Sequence, residues 1–138
     1  MGNSGKPLRF AGYAARFDRL DNGGDIIRPG AFRAALAARR DVPVLWQHKP
    51  GAVVGRVEVL GEDERGLRVI GSVQARGLGQ DVAELVRSKR IDGLSFGYRV
   101  RKARKVDGVR ELLSLDLMEV SLVSRPMQPL ARIHAFES

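Results

Sequence analysis

Asp107-Gly108 stands between two long segments of strand-like character, and that arrangement constrains the fold of this chain more than any other feature. Asp-Gly accepts the backbone dihedrals of a tight hairpin turn. The segment opening at Gly93 and the one running from about Val109 to Ser124 are therefore expected to pair, the second being long enough to bend or split. In the first arm a period of two puts Leu94, Phe96, Tyr98 and Val100 on one face, and Gly93, Ser95, Gly97 and Arg99 on the other. Ser95 thus stands on ground cleared by Gly93 and Gly97. Interior glycines weaken a strand and often mark a close approach by another backbone or a ligand. Ser95 is a candidate nucleophile within reach of an extended peptide, with Gly93, Gly97 and Phe96 as candidate substrate-binding positions. The alternative is a glycine-softened strand carrying an incidental serine.

The rest of the chain reads in the same style. Leu8 to Phe17 is a candidate first strand, and Asp21-Asn22-Gly23-Gly24 is a turn, since Asn and Gly tolerate positive φ. It lacks the alternating acids and distal glutamate of a calcium loop. Ile26 and Ile27 suggest a short strand. Pro29 suits a first helical turn, and helical spacing of Phe32, Ala35, Leu36 and Arg39 predicts a helix over 30–40. Val42, Val44, Trp46 and His48 alternate on a strand that Pro50-Gly51 closes. The Val53–Val59 and Leu67–Val73 segments read as a hairpin across a charged turn. Leu78, Val82, Leu85 and Val86 predict a second helix to about residue 90, with Asp81 and Glu84 early and Arg87, Lys89 and Arg90 late, as the helix dipole favours. Arg125-Pro126 stops the last strand, and Pro129 predicts an irregular tail.

Six to eight strands, two helices and mostly hairpin connections, with no helix alternating with every strand, argue against a doubly wound sheet. The expected fold is mainly β with peripheral helices (α+β): a closed or nearly closed, mostly antiparallel barrel, because closure removes exposed strand edges. With 138 residues one domain is expected, over 8–133, with a flexible start at 1–7 and a tail at 134–138.

Composition narrows the chemistry. The absence of cysteine excludes thiol catalysis, disulfides and cysteine-ligated zinc; no cofactor and no metal are expected. No apolar run approaches a membrane span, and the start lacks signal-peptide order. A formal charge of +8 predicts attraction to polyanions, either nucleic acid or an acidic protein segment. The densest basic run is Arg99, Arg101, Lys102, Arg104 and Lys105. Aromatic residues do not interleave with it, which argues against a stacking platform for nucleic acid, and a solvated strand end is the simpler reading.

A serine nucleophile needs a general base, and histidine is the usual one because its pKa lies near neutrality. Only His48 and His134 exist here. His48 sits at a strand end beside a turn, where functional side chains tend to be displayed, whereas His134 lies in the tail beyond Pro126 and Pro129. The base needs a third group to fix its tautomer. Glu119, on the apolar face of Leu113, Leu115 and Leu117, is the best candidate; the alternative is a glutamate satisfied by one of the many arginines. Arg125 is a candidate helper for an oxyanion hole.

Four segments, in order, carry a family resemblance: Asp21-Asn22-Gly23-Gly24-Asp25 through Pro29-Gly30-Ala31-Phe32, Val42-Pro43-Val44-Leu45-Trp46-Gln47-His48, Asp92-Gly93-Leu94-Ser95-Phe96-Gly97-Tyr98, and Leu117-Met118-Glu119-Val120-Ser121-Leu122-Val123 with Pro126. From about Phe10 to Ile133 the chain resembles the prohead (capsid-maturation) serine proteases of tailed phages and gene transfer agents. The resemblance implies a barrel related to the herpesvirus assembly proteases, with Ser95 as nucleophile and His48 as base. It implies a serine endopeptidase that cuts scaffold segments and the major capsid protein's leader inside the procapsid, in the host cytoplasm. A homodimer or an assembly requirement follows from the same likeness; a membrane or a specific nucleic acid is not expected. Lys49 departs from the acidic residue that often follows the family's histidine, and a trimmed, mature or minimal form is the expectation, since relatives often carry a removable segment after the position of Ile133. Rival readings are a non-catalytic capsid- or scaffold-binding factor on the same fold, and a basic nucleic-acid-binding barrel.

Overall fold

A computed structural model describes residues 6–137. The expected flexible start falls mostly outside them. The elements run β1 (Leu8–Arg16), β2 (Asp25–Ile27), α1 (Arg33–Ala38), β3 (Pro43–Trp46), β4 (Val53–Glu62), β5 (Gly66–Val73), α2 (Gly77–Arg87), β6 (Gly93–Val106), β7 (Val109–Val123) and β8 (Ile133–Glu137).

The Asp107-Gly108 hairpin is the spine of the molecule. β6 and β7 pair antiparallel from Gly93↔Val123 to Val106↔Val109, so β6 covers one edge of β7 along its whole length. The other edge is shared. β2 pairs parallel with residues 110–112 and β3 parallel with 120–122. Between them the turn leading into α1 takes over, with the Leu115 N–H donating to the Ala31 carbonyl. The length that suggested bending or splitting is used to serve two partners in tandem.

From β3 the sheet continues antiparallel through β4, β5, β1 and β8. It curls but does not close, which corrects the expected barrel: the strand path ends at β2 and β8. Among the described residues a single bridge, Gly93↔Arg132, and hydrogen bonds such as Leu94 N–H to the Ala131 carbonyl tie the start of β6 to the segment entering β8. Pro126 and Pro129 contribute no N–H there, so the 124–131 segment cannot extend a ladder. The tail expected to be irregular is strand β8, paired with β1. α1 and α2 are shorter than their apolar spacing suggested.

Phe10, Phe32, Leu67, Leu94, Leu112, Leu115, Leu122, Val44 and Val54 are fully buried and anchor one apolar cluster. The hairpin's far half is held by ion pairs. Arg28 and Arg104 both bind Glu111 (2.6 and 2.8 Å), and these two guanidiniums hold its carboxyl down at about 2. Arg110 grips Asp25 with two bonds of 2.8–2.9 Å, so Asp25 in the turn motif fastens β2 to β7.

Candidate active site

The cross-strand register fixes half of the site. Ser95 lies opposite Ser121, and Gly97 opposite Glu119. Directly opposed residues share a face of the sheet. The hydroxyl at 95 and the carboxylate at 119 are therefore neighbours on a patch separate from the core cluster that holds Leu94, Phe96, Val120 and Leu122.

The histidine arrives from β3, but not by the alternation that the sequence suggests. After Trp46 the chain leaves the strand, and Gln47 and His48 both adopt left-handed conformations (φ 53° and 61°). Such geometry costs a non-glycine residue about 1–3 kcal/mol and persists only when its surroundings fix it. Here β7 does so. The Gln47 N–H donates to the Leu122 carbonyl at 2.9 Å, the Gln47 side-chain amide exchanges two hydrogen bonds with Ser124, and the His48 N–H donates to Ser121 Oγ at 3.2 Å. The turn throws the imidazole over β7 and brings Nδ1 within 2.7 Å of Glu119 Oε1.

Glu119 then completes a relay. Its second oxygen accepts from Ser121 Oγ at 2.5 Å, so Ser121 bridges the carboxylate and the backbone of the histidine turn. With Nδ1–H donating to the carboxylate, the neutral imidazole keeps Nε2 as its acceptor. The hydrogen bond to Glu119 raises the His48 pKa above its ordinary value; partial burial opposes this and the glutamate's charge adds to it.

Ser95 is buried, and its hydroxyl makes no hydrogen bond among the described residues. It lines a small cavity of about 70 Å³ together with His48, Phe96, Tyr98, Asp21 and Gln128. The Asp21 turn therefore forms a wall of the cavity: its carboxylate accepts from the Gly23 and Asp25 N–H groups, which sets the turn's shape. Gln128, also lining the cavity, is anchored by bonding both the N–H and the carbonyl of Arg16.

Other candidates fare differently. His134 packs against the Tyr13 ring, 5.9 Å between centroids, and has no part in the relay. Arg125 is exposed in the loop after β7 and is not among the cavity's lining residues. Lys49 is exposed. Phe96 belongs to the core, edge-on to Phe32, while also touching the cavity. The glycines have a role other than the one expected. A Cβ at Gly93 would sit 2.6 Å from the Val123 carbonyl and 3.0 Å from Pro126, and one at Gly97 only 2.4 Å from Glu119 Oε1. Their cleared ground is occupied by the chain itself, and Gly97 makes room for the carboxylate. Ser121 and Gln128 escaped the sequence reading. Ser121 carried a detectable signal, since it is a polar residue two positions from Glu119 on the same strand face.

Gly97 provides a test of the relay. In Gly97→Ala the atom that must give way is the end of a flexible side chain, so the fold should lose no more than about 1–3 kcal/mol, as for ordinary overpacking. The displaced carboxylate should leave His48, and the imidazole pKa should fall from its raised value toward the ordinary one. Thermal melting read beside an NMR titration of His48 checks this; a loss of stability with the titration unmoved would mean that Gly97 serves the fold alone.

A hydroxyl and an imidazole on one cavity, with a carboxylate fixing the imidazole's tautomer, is the residue set of a serine hydrolase. The chain belongs to the caudovirus prohead serine protease family, whose sequence profile matches residues 2–138. It is 40% identical over 101 residues to the prohead protease of Enterobacteria phage HK97, an alignment covering 71% of this chain and 45% of that protein, so the chain spans less than half of that relative's length. Solved structures that share its fold include the following two. The KSHV protease in complex with a hexapeptide phosphonate inhibitor matches with a TM-score of 0.69 at 14% identity, covering 96% of this chain and 66% of that one. The bacteriophage T4 capsid assembly protease matches with a TM-score of 0.66 at 13% identity, covering 83% and 80%. No helix among the described residues is long and apolar enough to cross a membrane.

Proposed function

We propose that this chain is a serine endopeptidase of capsid maturation, acting through an acyl-enzyme. The observation that carries the reading is the Ser121–Glu119–His48 hydrogen-bond chain ending at the cavity that Ser95 lines. In this reading Ser95 Oγ attacks the scissile carbonyl carbon while His48 Nε2 takes its proton. The tetrahedral intermediate collapses with expulsion of the amine, which receives that proton from His48. Water, deprotonated by the same nitrogen, then hydrolyses the ester and frees Ser95. Glu119 stabilises the imidazolium formed in each half, and Ser121 holds Glu119 and the histidine turn in register. Backbone amides beside the cavity, with Arg125 as a candidate helper, would serve the oxyanion.

Family membership and the phage relative support scaffold segments and the major capsid protein as substrates, with the procapsid interior in the bacterial host as the place of action. A homodimer or an assembled state as the active form rests on the likeness to the herpesvirus fold alone.

The test is a peptidyl phosphonate, which forms a covalent bond to an activated serine. Mass analysis of the labelled protein, alone and within procapsids, should find one adduct on Ser95 and none in Ser95→Ala. Absence of an adduct in both states would favour a non-catalytic assembly factor on the same fold.

A further inference from the structure

Past the active site, β6 changes character. Gly93 to Phe96 are buried, but Arg99 to Val106 are exposed without interruption, on both faces of the strand. A strand lying on a core alternates between buried and exposed positions; this stretch is an arm along the sheet margin. Among the described residues β6 pairs with β7 alone over these positions, so the arm's outer edge has no strand partner.

The arm's charge is only partly neutralised. Arg101 meets Asp116 at 3.4 Å and Arg104 meets Glu111 at 2.8 Å. Arg99, Lys102 and Lys105 have no ion pair among the described residues. Cationic edges often serve only to block edge-to-edge association, and a second copy of this arm would indeed be repelled. The same charges favour an extended acidic segment. Register shifts between Val100 and Lys102 and between Lys102 and Ala103 interrupt a regular edge ladder, so side-chain charge rather than a long backbone ladder would do the recognising. The arm is also continuous with Ser95: Arg99 lies four residues along the same strand, about 13 Å at strand rise.

Resting on the protease reading above, we propose that Arg99, Lys102 and Lys105 form a docking surface for an acidic stretch of the polypeptide substrate, flanking the bond presented to Ser95. The arm would select among substrates by the charge of this flank, apart from any preference of the cavity.

The test compares the full chain with Arg99→Glu/Lys102→Glu/Lys105→Glu and with a control of equal charge change on and around α2, Arg76→Glu/Lys89→Glu/Arg90→Glu. The probe is a fluorescein-labelled 16-residue Glu/Ser peptide, with a Gln/Ser peptide and a duplex DNA of matched length beside it, read by anisotropy at low and high salt. The arm variant should bind the acidic peptide about tenfold more weakly than wild type at low salt, the scale of rim-charge effects. The control should stay within about twofold, the Gln/Ser peptide should bind none of the three, and added salt should erase the difference. Equal weakening in both variants would overturn the proposal by reducing it to net charge. DNA binding through the arm more tightly than the acidic peptide would overturn it in favour of nucleic acid. Phosphonate labelling of Ser95 is read in parallel and should be equal in the wild type and the α2 control. Failure to label the wild type both alone and within procapsids would remove the hydrolase reading, while the anisotropy would still decide the arm.

Discussion

On the protease reading proposed above, with Ser95 as nucleophile and His48 as base, alanine at either position is expected to lower hydrolysis of the capsid precursor by about 10⁴-fold or more, the loss seen when a serine-protease triad is broken. The two changes together should do little more damage than either alone, because nucleophile and base act as a unit. Melting temperature should barely move in Ser95→Ala. Its hydroxyl makes no hydrogen bond among the described residues, so truncation leaves no partner stranded, and Ala fits the strand. His48→Ala keeps the left-handed backbone that histidine already occupies and leaves the three anchors of the turn on β7 intact. The measurement is the mass of the capsid protein's new N-terminus after co-expression, which reads activity in whatever assembled state the enzyme needs. Cleavage at a tenth of the wild-type rate in either variant would remove that residue from the chemistry. His134→Ala is the internal control: its ring meets Tyr13, outside the relay, and the rate should be unchanged.

The hairpin about Asp107-Gly108 was legible because it is written locally, in a turn that needs two permissive residues and in strands with a period of two. Ser95, His48 and Glu119 were legible as candidates for related reasons: His48 and Glu119 are polar residues continuing apolar alternations, and Ser95 stands between glycines on its strand face. Barrel closure was not. Whether the outermost strands meet depends on prolines at 126 and 129 and on a three-residue β2, and no local period records how far a sheet curls. The histidine's position was half legible. Alternation extended through His48, whereas the two left-handed residues that lift the ring onto β7 are held by Leu122, Ser121 and Ser124, more than 70 positions away. The glycines were misread for want of the same knowledge. Space beside a strand looks alike in sequence whether a substrate fills it or Glu119 and Pro126 do.

Glu119→Gln gives the second large effect, and its pH dependence identifies the cause. A neutral amide has one acceptor and one donor where the carboxylate has two acceptors. If its oxygen faces Nδ1, the NH₂ group meets Ser121 and the charge that stabilises imidazolium is gone. If the NH₂ group faces Nδ1, the ring proton is driven to Nε2, and His48 can no longer accept from Ser95. Either outcome should cost on the order of 10³–10⁴ in rate at neutral pH, by analogy with the amide replacement in the classical triad. The sign of the pH shift follows from the charge. Glu119 is the first cause of the raised His48 pKa, and the base must be neutral to work. The acid limb of kcat/KM should therefore lie above the ordinary histidine pKa of about 6.5 in the wild type, and move to lower pH in Glu119→Gln. Stability carries the same signature. The pair's contribution is fully present below the unfolded histidine pKa and is lost as pH rises through the raised folded value, so the variant's deficit in Tm should be largest in mild acid, where carboxylates are still ionised, and shrink toward alkaline pH. A residual rate whose acid limb stays in place would mean that a group other than His48 titrates there, and Glu119 would then be a structural partner of Ser121 rather than the anchor of the base.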